Sequence, residues 1–361
     1  TSMDIEDNAD ALRIRAALDL ILGSLSTLLL NLAGKIETTA ELPVMGFTHL
    51  QPAEPTTLGY RLAFTAQDLF EDWKNLTLVR SKIRGKGFTG AVGTSAGYAD
   101  LIGIDSLDRF EKRLSDELGL AFFEVSNQTY PRKQDYQVIS SLAGLGASLH
   151  KFAFDLRVLQ SPGIGELSEP FGKKQVGSSA MPFKRNPIQS EKIDSLARSL
   201  ASLPQAAWHN AANSLLERTL DDSANRRTLL PEAFLICDEI LLVANRLVKG
   251  LVVSETNIQR NLDAYAPFAS TERILMAVVK KGGDRQEMHE ILRSHAMNAW
   301  QEVQQGRANP LLEMIRADVN ITRWLTVAEI ERLSDIRAYT GLAAKRCHLL
   351  VAKIRQSILK Q

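Results

Sequence analysis

The sequence predicts an all-α protein, an elongated bundle of about five long helices followed by a smaller helical C-terminal domain. Apolar residues recur at alternating steps of three and four over several long stretches, as they do where helices pack along near-parallel neighbours. Strand signals are poor, since only the short run Phe122, Phe123 and Val125 is a candidate for extended structure. Of the 361 residues, 45% are hydrophobic, which is enough apolar material for a core.

Five stretches have the periodicity or composition of long helices. They are residues 11–32, 57–79, 142–159, 193–203 and 231–250. Pro204 is expected to bend the fourth helix, and Pro231 is expected in the first turn of the fifth. After residue 254 the helices are expected to shorten, with breaks at Pro267, Gly282, Gly283, Pro310 and Gly341. We therefore predict a bundle domain with the catalytic loops over 1–253 and a C-terminal helical domain over 254–361.

Charge and hydropathy favour a protein without nucleic-acid or membrane partners. Lys plus Arg number 43 and Asp plus Glu number 42, so the net charge of +1 shows no basic footprint. The most hydrophobic stretch, residues 18–32, is interrupted by polar side chains and falls short of the roughly 20 apolar residues of a membrane span. The first residues lack the pattern of a secretory signal. The sequence therefore predicts a cytoplasmic location.

The cysteine and histidine content predicts neither a metal site nor a cofactor. Cys237 and Cys347 each lie in a helical apolar pattern, and no cysteine cluster or histidine pair is present. A disulfide between the two cysteines is one possibility, and two reduced core thiols are the favoured interpretation.

Three polar segments interrupt the bundle helices, and such segments on rigid elements are where chemistry usually lies. They are residues 46–55, 85–103 and 160–187. In the third, a serine near Lys184 and backbone N–H groups is a candidate nucleophile or base, because that environment eases the loss of its proton. A surface turn with a serine cap is the alternative interpretation.

The run 177–187 reads Gly-Ser-Ser-Ala-Met-Pro-Phe-Lys-Arg-Asn-Pro and resembles the signature Gly-Ser-Ser-x-Met-Pro-x-Lys-x-Asn-Pro of the fumarase/aspartase superfamily of lyases. The run 46–53, Gly-Phe-Thr-His-Leu-Gln-Pro-Ala, is similar to a second region of that superfamily. The runs 128–133 and 217–227 resemble the adenylosuccinate lyases specifically, and the second of these discriminates them from fumarases and argininosuccinate lyases. The resemblance extends along nearly the whole chain. It implies β-elimination of fumarate from adenylosuccinate, giving AMP, and from the succinocarboxamide intermediate of purine synthesis.

Such an elimination needs a base that removes a carbon-bound proton and an acid that protonates the leaving nitrogen, and it needs no cofactor. The resemblance implies Ser178 as the base, although spacing alone does not separate it from Ser179. It implies His49 as the acid, a role that suits an unperturbed imidazole pKa of about 6.5. It implies Glu191 as the carboxylate that orients a histidine. His49 as a structural residue of a turn, and Glu191 as a partner of the helix dipole, are the alternatives.

The resemblance also implies a set of substrate-binding residues. Lys184 and Asn186 match contacts to the succinyl part, and Gln128 matches a contact to a substrate amide. The full set is Thr1, Ser2, Thr48, Gln128, Lys184, Asn186, Lys192, Arg218, Ser223 and Arg227. At position 192 we expect an arginine in close relatives, so lysine there keeps the charge and loses the bidentate geometry.

Arg218, Ser223 and Arg227 match nucleotide-binding positions. If this segment is helical, Ser223 and Arg227 share one face and can bind a phosphate or carboxylate together. The alternative is a solvated helix face on which Asp221 and Asp222 are the partners of Ser223 and Arg227.

The resemblance further implies a homotetramer whose active sites take residues from three chains, and an N-terminal domain before Thr1 that this sequence does not contain. The partners would be purine nucleotides. Another lyase of the same superfamily, argininosuccinate lyase-like, is the alternative enzyme. A non-catalytic helical scaffold would explain the apolar repeats but not the motifs.

Overall fold

The computed structural model describes residues 1–172, 181 and 183–360, apart from the side chain of Ala338. The candidate base Ser178 and its alternative Ser179 lie outside the described residues. Helices dominate the described chain, and the all-α class predicted from the sequence is confirmed.

Within the described residues, helices and short strands follow one another in a simple order. The helices are α1 Met3–Thr38, α2 Leu58–Ser81, α3 Ala96–Ile102, α4 Leu107–Leu118, α5 Lys133–Gln160, α6 Ile188–Ala212, α7 Ser223–Gly250, α8 Glu255–Lys280, α9 Arg285–Gln304, α10 Leu311–Ala317, α11 Val319–Thr322, α12 Val327–Ser334 and α13 Ala343–Ile358. The strands are β1 Pro43–Thr48, β2 Gln51–Thr57, β3 Leu167–Ser168 and β4 Val252–Val253. Two 3₁₀ turns cover Ile104–Ser106 and Arg337–Tyr339.

The five predicted long helices correspond to α1, α2, α5, α6 and α7. Their buried residues follow the predicted apolar repeat. Leu18 and Leu25 of α1 and Leu142 and Leu145 of α5 have no exposed surface. Periodic apolar residues therefore form the core-facing sides of these helices.

Prolines interrupt the helices less than the sequence suggested. Pro231 does not begin α7, which starts at Ser223, and Pro267 does not break α8. Pro204 likewise lies inside α6. A proline in a helix interior loses one backbone hydrogen bond and costs about 3 kcal/mol. Buried apolar residues on both sides of each proline offset that cost, as Leu262 and Ile274 do in α8.

The first compact unit comprises residues 1–31, 65–157 and 171–250. Within it α6 packs against α7. Leu200 of α6 and Ile240 of α7 are fully buried.

The second compact unit comprises residues 32–64, 158–170 and 251–361. Helix α8 packs there against α9, α12 and both strands β1 and β2. A separate hydrophobic core holds its helices together, formed by Ile274, Leu275, Val278, Met288, Leu292, Ala299, Leu311, Ile315, Ile321, Leu325 and Ile330. Both units contain residues that are distant in sequence, and α1, α2 and α5 each contribute to both. The domains 1–253 and 254–361 stay a prediction.

An antiparallel hairpin of β1 and β2 is the main strand structure of the described residues, and it was not predicted. Pro43 pairs with Thr57 and Thr48 pairs with Gln51. The segment reads as a loop in sequence because it contains one glycine and three prolines and lacks regular alternation. The predicted extended run at Phe122 forms only an isolated bridge to Gly85.

Helix α1 is long and apolar enough, by length and composition, to cross a membrane, which the inspection of apolar runs did not predict. Core helices of globular proteins meet the same criterion. Leu18, Leu25 and Leu29 of α1 are fully buried, and Asp4 and Asp7 occupy its first turns. These features identify α1 as a core helix of the fold.

Candidate active site

His49 lies at the tip of the β1–β2 hairpin, in a two-residue turn with Leu50. Both residues have positive φ, 54° for His49 and 60° for Leu50, and both are exposed. Such turns normally use asparagine or glycine, because other residues in this conformation cost about 1–2 kcal/mol each. Strain of this kind is commonly kept at functional positions. The neighbouring Thr48 is the last residue of β1 and is also exposed.

An ion pair between the half-buried Arg61 and the fully buried Glu166 holds the hairpin within the second unit. Arg61 donates from Nη2 to the Met45 carbonyl of β1 at 2.6 Å and from Nη1 to Oε2 of Glu166 at 2.7 Å. Asn261 of α8 donates to Oε1 of the same carboxylate at 3.0 Å. Glu166 follows the Ser161–Gly165 segment, so one carboxylate links that segment, α8 and the hairpin that bears His49.

The predicted residues around α6 lie in the first unit. Lys184 is exposed, and its N–H donates to the Met181 carbonyl at 3.0 Å. The Asn186 carbonyl accepts from the Ile188 N–H at 2.9 Å, immediately before the helix. Lys192 forms an ion pair with Glu239 of α7 at 2.5 Å.

Glu191 lies in the first turn of α6 and is exposed. Its carboxylate lies 3.9 Å from the Arg157 guanidinium, which forms a closer pair of 2.8 Å with Asp194. The position in the first turn suits the helix dipole, so a histidine-orienting role for Glu191 stays a prediction.

Three predicted nucleotide-binding residues line one cavity of about 500 Å³ in the first unit. Arg218, Ser223 and Arg227 form part of its wall, together with residues of α1 that include Met3. Ser223 is the first residue of α7 and Arg227 lies one turn later, so the two share a face as predicted. Thr1 and Ser2 immediately precede α1, and their carbonyls accept its first N–H bonds.

Gln128 is brought next to this cavity by backbone pairing. Its N–H donates to the Glu217 carbonyl at 3.2 Å, and Asn127 Nδ2 donates to the Leu216 carbonyl at 3.0 Å. Leu216 has a positive φ of 47°, another strained residue beside candidate binding residues. The two sequence segments that resemble adenylosuccinate lyases are therefore in direct contact.

Sequence reasoning missed a network of buried charges in the wall of the cavity, which Arg132 and Arg218 line. Asp7 accepts two 3.0 Å bonds from Arg132 Nη1, and Arg132 Nε donates to Asp222 at 2.6 Å. Asp222 in turn accepts from Arg218 Nη1 at 2.8 Å. Asp222 thus pairs with Arg218 and Arg132 and is buried, whereas the alternative interpretation placed it on a solvated face as a partner of Ser223 and Arg227. A signal was present in sequence: Asp4 and Asp7 continue the three-and-four repeat of Ala11 and Ile14, which places charge at core positions.

A second buried group lies beside the first. Arg226 donates to Asp135 Oδ2 at 2.7 Å and to the Tyr130 hydroxyl at 2.8 Å, and that hydroxyl donates to Asp135 Oδ1 at 2.7 Å. The Arg132 guanidinium lies 4.8 Å from the centroid of the Tyr130 ring. Paired arginines of this kind give a rigid wall to the cavity.

The carboxylates of this region differ in pKa because their surroundings differ. Burial raises the pKa of Asp222, but the neighbouring Arg132 and Arg218 outweigh it and the net pKa is lowered. Burial raises the pKa of Asp7, and Arg132 and Arg226 offset that only in part. Burial also holds the pKa of the Tyr130 hydroxyl well above its ordinary value. Asp222 is therefore ionised and able to pair with both arginines at neutral pH.

Cys237 and Cys347 are both buried free thiols, in agreement with the favoured interpretation. Among the residues that the structure describes, no group of three or more His, Cys, Asp or Glu side chains is arranged to hold a metal ion.

Comparison with known proteins identifies the family. The model of the lyase family matches residues 1–201, and the model described as adenylosuccinate lyase C-terminus matches residues 267–348. An adenylosuccinate lyase from Schizosaccharomyces pombe is 37% identical over 360 residues, covering 98% of this chain and 73% of the relative. One from Saccharomyces cerevisiae is 38% identical over 358 residues, with the same two shares covered.

A solved structure supports the same assignment at the level of the fold. The 3-carboxy-cis,cis-muconate lactonizing enzyme from Pseudomonas putida superposes with a TM-score of 0.86 at 26% identity, covering 99% of this chain and 77% of that one. Similarity to lyase sequences and to this fold thus extends over nearly all of the described residues. The chain therefore belongs to the adenylosuccinate lyase family of the fumarase/aspartase superfamily.

Proposed function

We propose that this chain catalyses β-elimination of fumarate from adenylosuccinate, giving AMP, and from the succinocarboxamide intermediate of purine synthesis. The observation that carries the proposal is the cavity that Arg218, Ser223 and Arg227 line at the start of α7, in a chain of this family. Backbone N–H groups at a helix start favour an anion, and arginine binds phosphate oxygens with two parallel hydrogen bonds. This combination supports recognition of a nucleotide phosphate.

The elimination itself requires a base and an acid on opposite faces of the substrate. In the proposed mechanism Ser178 removes the proton next to the carboxylate, and His49 protonates the leaving nitrogen while Glu191 orients a histidine. Positive charge at Lys184 stabilises the carbanion-like intermediate. The strained conformation of His49 supports its role, because a turn of histidine and leucine is otherwise unfavourable.

The other proposed contacts follow the parts of the substrate. Lys184 and Asn186 bind the succinyl group and Gln128 binds an amide. The remaining proposed substrate-binding residues are Thr1, Ser2, Thr48 and Lys192. The ion pair of Lys192 with Glu239 has to open or to tolerate a second partner if the lysine binds substrate.

We also propose a homotetramer in which one active site takes residues from several chains. Support comes from large apolar side chains exposed on the long helices. They are Leu20, Phe154, Trp208 and Leu235, between 49% and 73% exposed. Apolar surface of this kind is normally covered by a partner subunit. Mixing inactive His49→Gln and Arg218→Ala variants through a dissociation step should restore part of the activity, and failure to restore any would contradict shared sites.

A cytoplasmic location fits an enzyme that acts on phosphorylated purine intermediates, and we propose it on that ground. Cell fractionation that places the protein in an extracellular or membrane fraction would overturn this proposal.

The function is tested with the purified full-length protein by the change in ultraviolet absorbance on incubation with adenylosuccinate. We expect cleavage to AMP and fumarate, and we expect Ser178→Ala to abolish it. If the protein leaves adenylosuccinate intact but cleaves argininosuccinate, the proposed substrate is wrong and the chain is an argininosuccinate lyase-like enzyme. If Ser178→Ala keeps wild-type turnover, the base is Ser179 or another residue.

A further inference from the structure

Asp222 lies between two arginines that have different surroundings. Its Oδ1 accepts from Arg218 Nη1 at 2.8 Å, and its Oδ2 accepts from Arg132 Nε at 2.6 Å. Asp222 is 2% exposed and Arg132 is 3% exposed. Arg218 lines the cavity and its side chain is 17% exposed. One carboxylate therefore joins the more exposed Arg218 to the buried Arg132, and both arginines line the cavity.

The buried end of this network is anchored to helix α1. Asp7 Oδ1 and Oδ2 both accept from Arg132 Nη1 at 3.0 Å, and Oδ2 also accepts the Tyr130 N–H at 2.8 Å. Asp7 has no exposed surface. The order Asp7, Arg132, Asp222, Arg218 therefore joins the buried start of α1 to the cavity wall, with alternating charge at each step.

This order matters because a free arginine side chain loses rotational entropy when a ligand immobilises it. A guanidinium already fixed by a buried carboxylate has lost that freedom before the ligand arrives. Two negative and two positive groups also leave the network itself without net charge, so its burial does not depend on a bound anion.

We propose that Asp222 is a positioning residue for the phosphate of the substrate, acting by holding the Arg218 guanidinium in the cavity, with Arg132 and Asp7 fixing Asp222 in turn. The inference rests on the proposed function, in which Arg218 binds the nucleotide. It goes beyond that function by assigning a role to Asp7 and Asp222, which do not line the cavity, and to Arg132, which joins them.

The decisive comparison is between AMP and adenosine, which differ only in the phosphate. In Asp222→Asn one carboxylate oxygen, which accepts a hydrogen bond, is replaced by an amide NH2 group, which can only donate and faces an arginine. We expect the Kd for AMP to rise about tenfold, the size of one lost charged hydrogen bond, and the Kd for adenosine to stay unchanged. For adenylosuccinate, KM rises by a similar factor while kcat stays within about twofold. The neighbouring exposed Asp221→Asn is the matched control and leaves both Kd values unchanged.

A double-mutant cycle tests whether Asp222 acts through Arg218. In an Arg218→Ala background, Asp222→Asn should have no further effect on the Kd for AMP. If Asp222→Asn does not fold, Asp222→Glu supplies the comparison, since glutamate keeps the charge and moves the carboxylate out of its bond with Arg218.

Three results would overturn the inference: equal losses for AMP and adenosine, no loss for either, or additive effects in the cycle. A wild-type protein that does not cleave adenylosuccinate would instead refute the proposed function, and that result is distinguishable because the binding comparison does not use turnover.

Discussion

Arg61 donates a 2.7 Å hydrogen bond to Glu166, a carboxylate whose side chain has no exposed surface. The pair lies behind the hairpin that presents His49, and it also binds the Met45 carbonyl and Asn261. A buried pair of this kind adds little net stability compared with apolar residues, but the loss of one partner leaves an uncompensated charge. The ion pair is therefore a specific point of vulnerability in the second unit.

Glu166→Gln is expected to lower the free energy of unfolding by about 3 kcal/mol, because Arg61 then keeps its charge without a carboxylate. Urea unfolding at a fixed protein concentration measures the change. Glu41→Gln, at an exposed position of the same unit, is the control and should stay within about 0.5 kcal/mol of the wild type. Equal stability of the two variants would show that the buried pair is not needed.

Leu50→Asn is expected to stabilise the protein by about 0.5–1 kcal/mol. Asparagine adopts positive φ more readily than leucine does, and Leu50 is 69% exposed, so little burial is lost. Turnover should be retained, since the turn that holds His49 keeps its conformation. Differential scanning calorimetry with Leu101→Asn as control checks this, because Leu101 is 79% exposed in helix α3 and gains nothing from asparagine. A lower melting temperature for Leu50→Asn would contradict the assigned strain.

Gly93→Ala is expected to be far more damaging than Gly90→Ala. Both glycines have positive φ, 83° and 79°, so alanine at either costs about 1 kcal/mol in conformation. At Gly93, however, a Cβ atom would lie 1.8 Å from the Ser126 carbonyl oxygen, whereas at Gly90 it would meet nothing within 4 Å. Urea unfolding should show an additional loss of about 2 kcal/mol or more at Gly93. Similar losses at both positions would mean that the loop relaxes around the clash.

Glu329→Gln tests the pH dependence of the second unit. Lys281 and the Thr326 cap hold the pKa of Glu329 at about 2, below its ordinary 4.5. A lowered carboxyl pKa adds stability above pH 4.5 and loses it as the pH falls towards 2. The melting temperature of the variant should therefore be lower than that of the wild type at pH 7, with the difference shrinking below pH 4.5.

Glutamine keeps the capping geometry at position 329, so the comparison isolates the charge. Glu313→Gln, at an exposed position in the first turn of α10, is the control. A difference from the wild type that does not change between pH 7 and pH 3 would exclude the ion pair with Lys281 as its cause.

The sequence predicted the helices well because their periodicity directly reflects burial. Leu18, Leu25, Leu142 and Leu145 occupy the expected core positions. The β1–β2 hairpin could not be found in this way, since its pairing joins residues whose own preferences are for loops. The predicted helix breaks at prolines were wrong for a related reason. The hydrogen bond that a proline removes from a helix can be read from the sequence, whereas the tertiary packing that offsets this loss cannot.

For the candidate site, the motifs indicated which side chains to consider but not how they are held. Arg218, Ser223 and Arg227 line one cavity, as a shared role requires. Asp7 and Arg132 are separated by more than a hundred residues in the chain, and no local sequence pattern predicts their contact. Asp4 and Asp7, at core positions of α1, were the one sequence feature that indicated a buried charge network. The sequence does not show which residues of opposite charge pair with them, because the fold brings those residues together.

The alternating network of Asp7, Arg132, Asp222 and Arg218 also constrains how this protein can change over generations. A single substitution in it strands a charge in the interior, whereas the simultaneous replacement of an acid and its base does not. A lineage that loses this network must therefore pass through a less stable single variant or substitute two residues at the same time. Drift at these four positions should consequently be slow and correlated, even though Asp7 and Asp222 do not line the cavity.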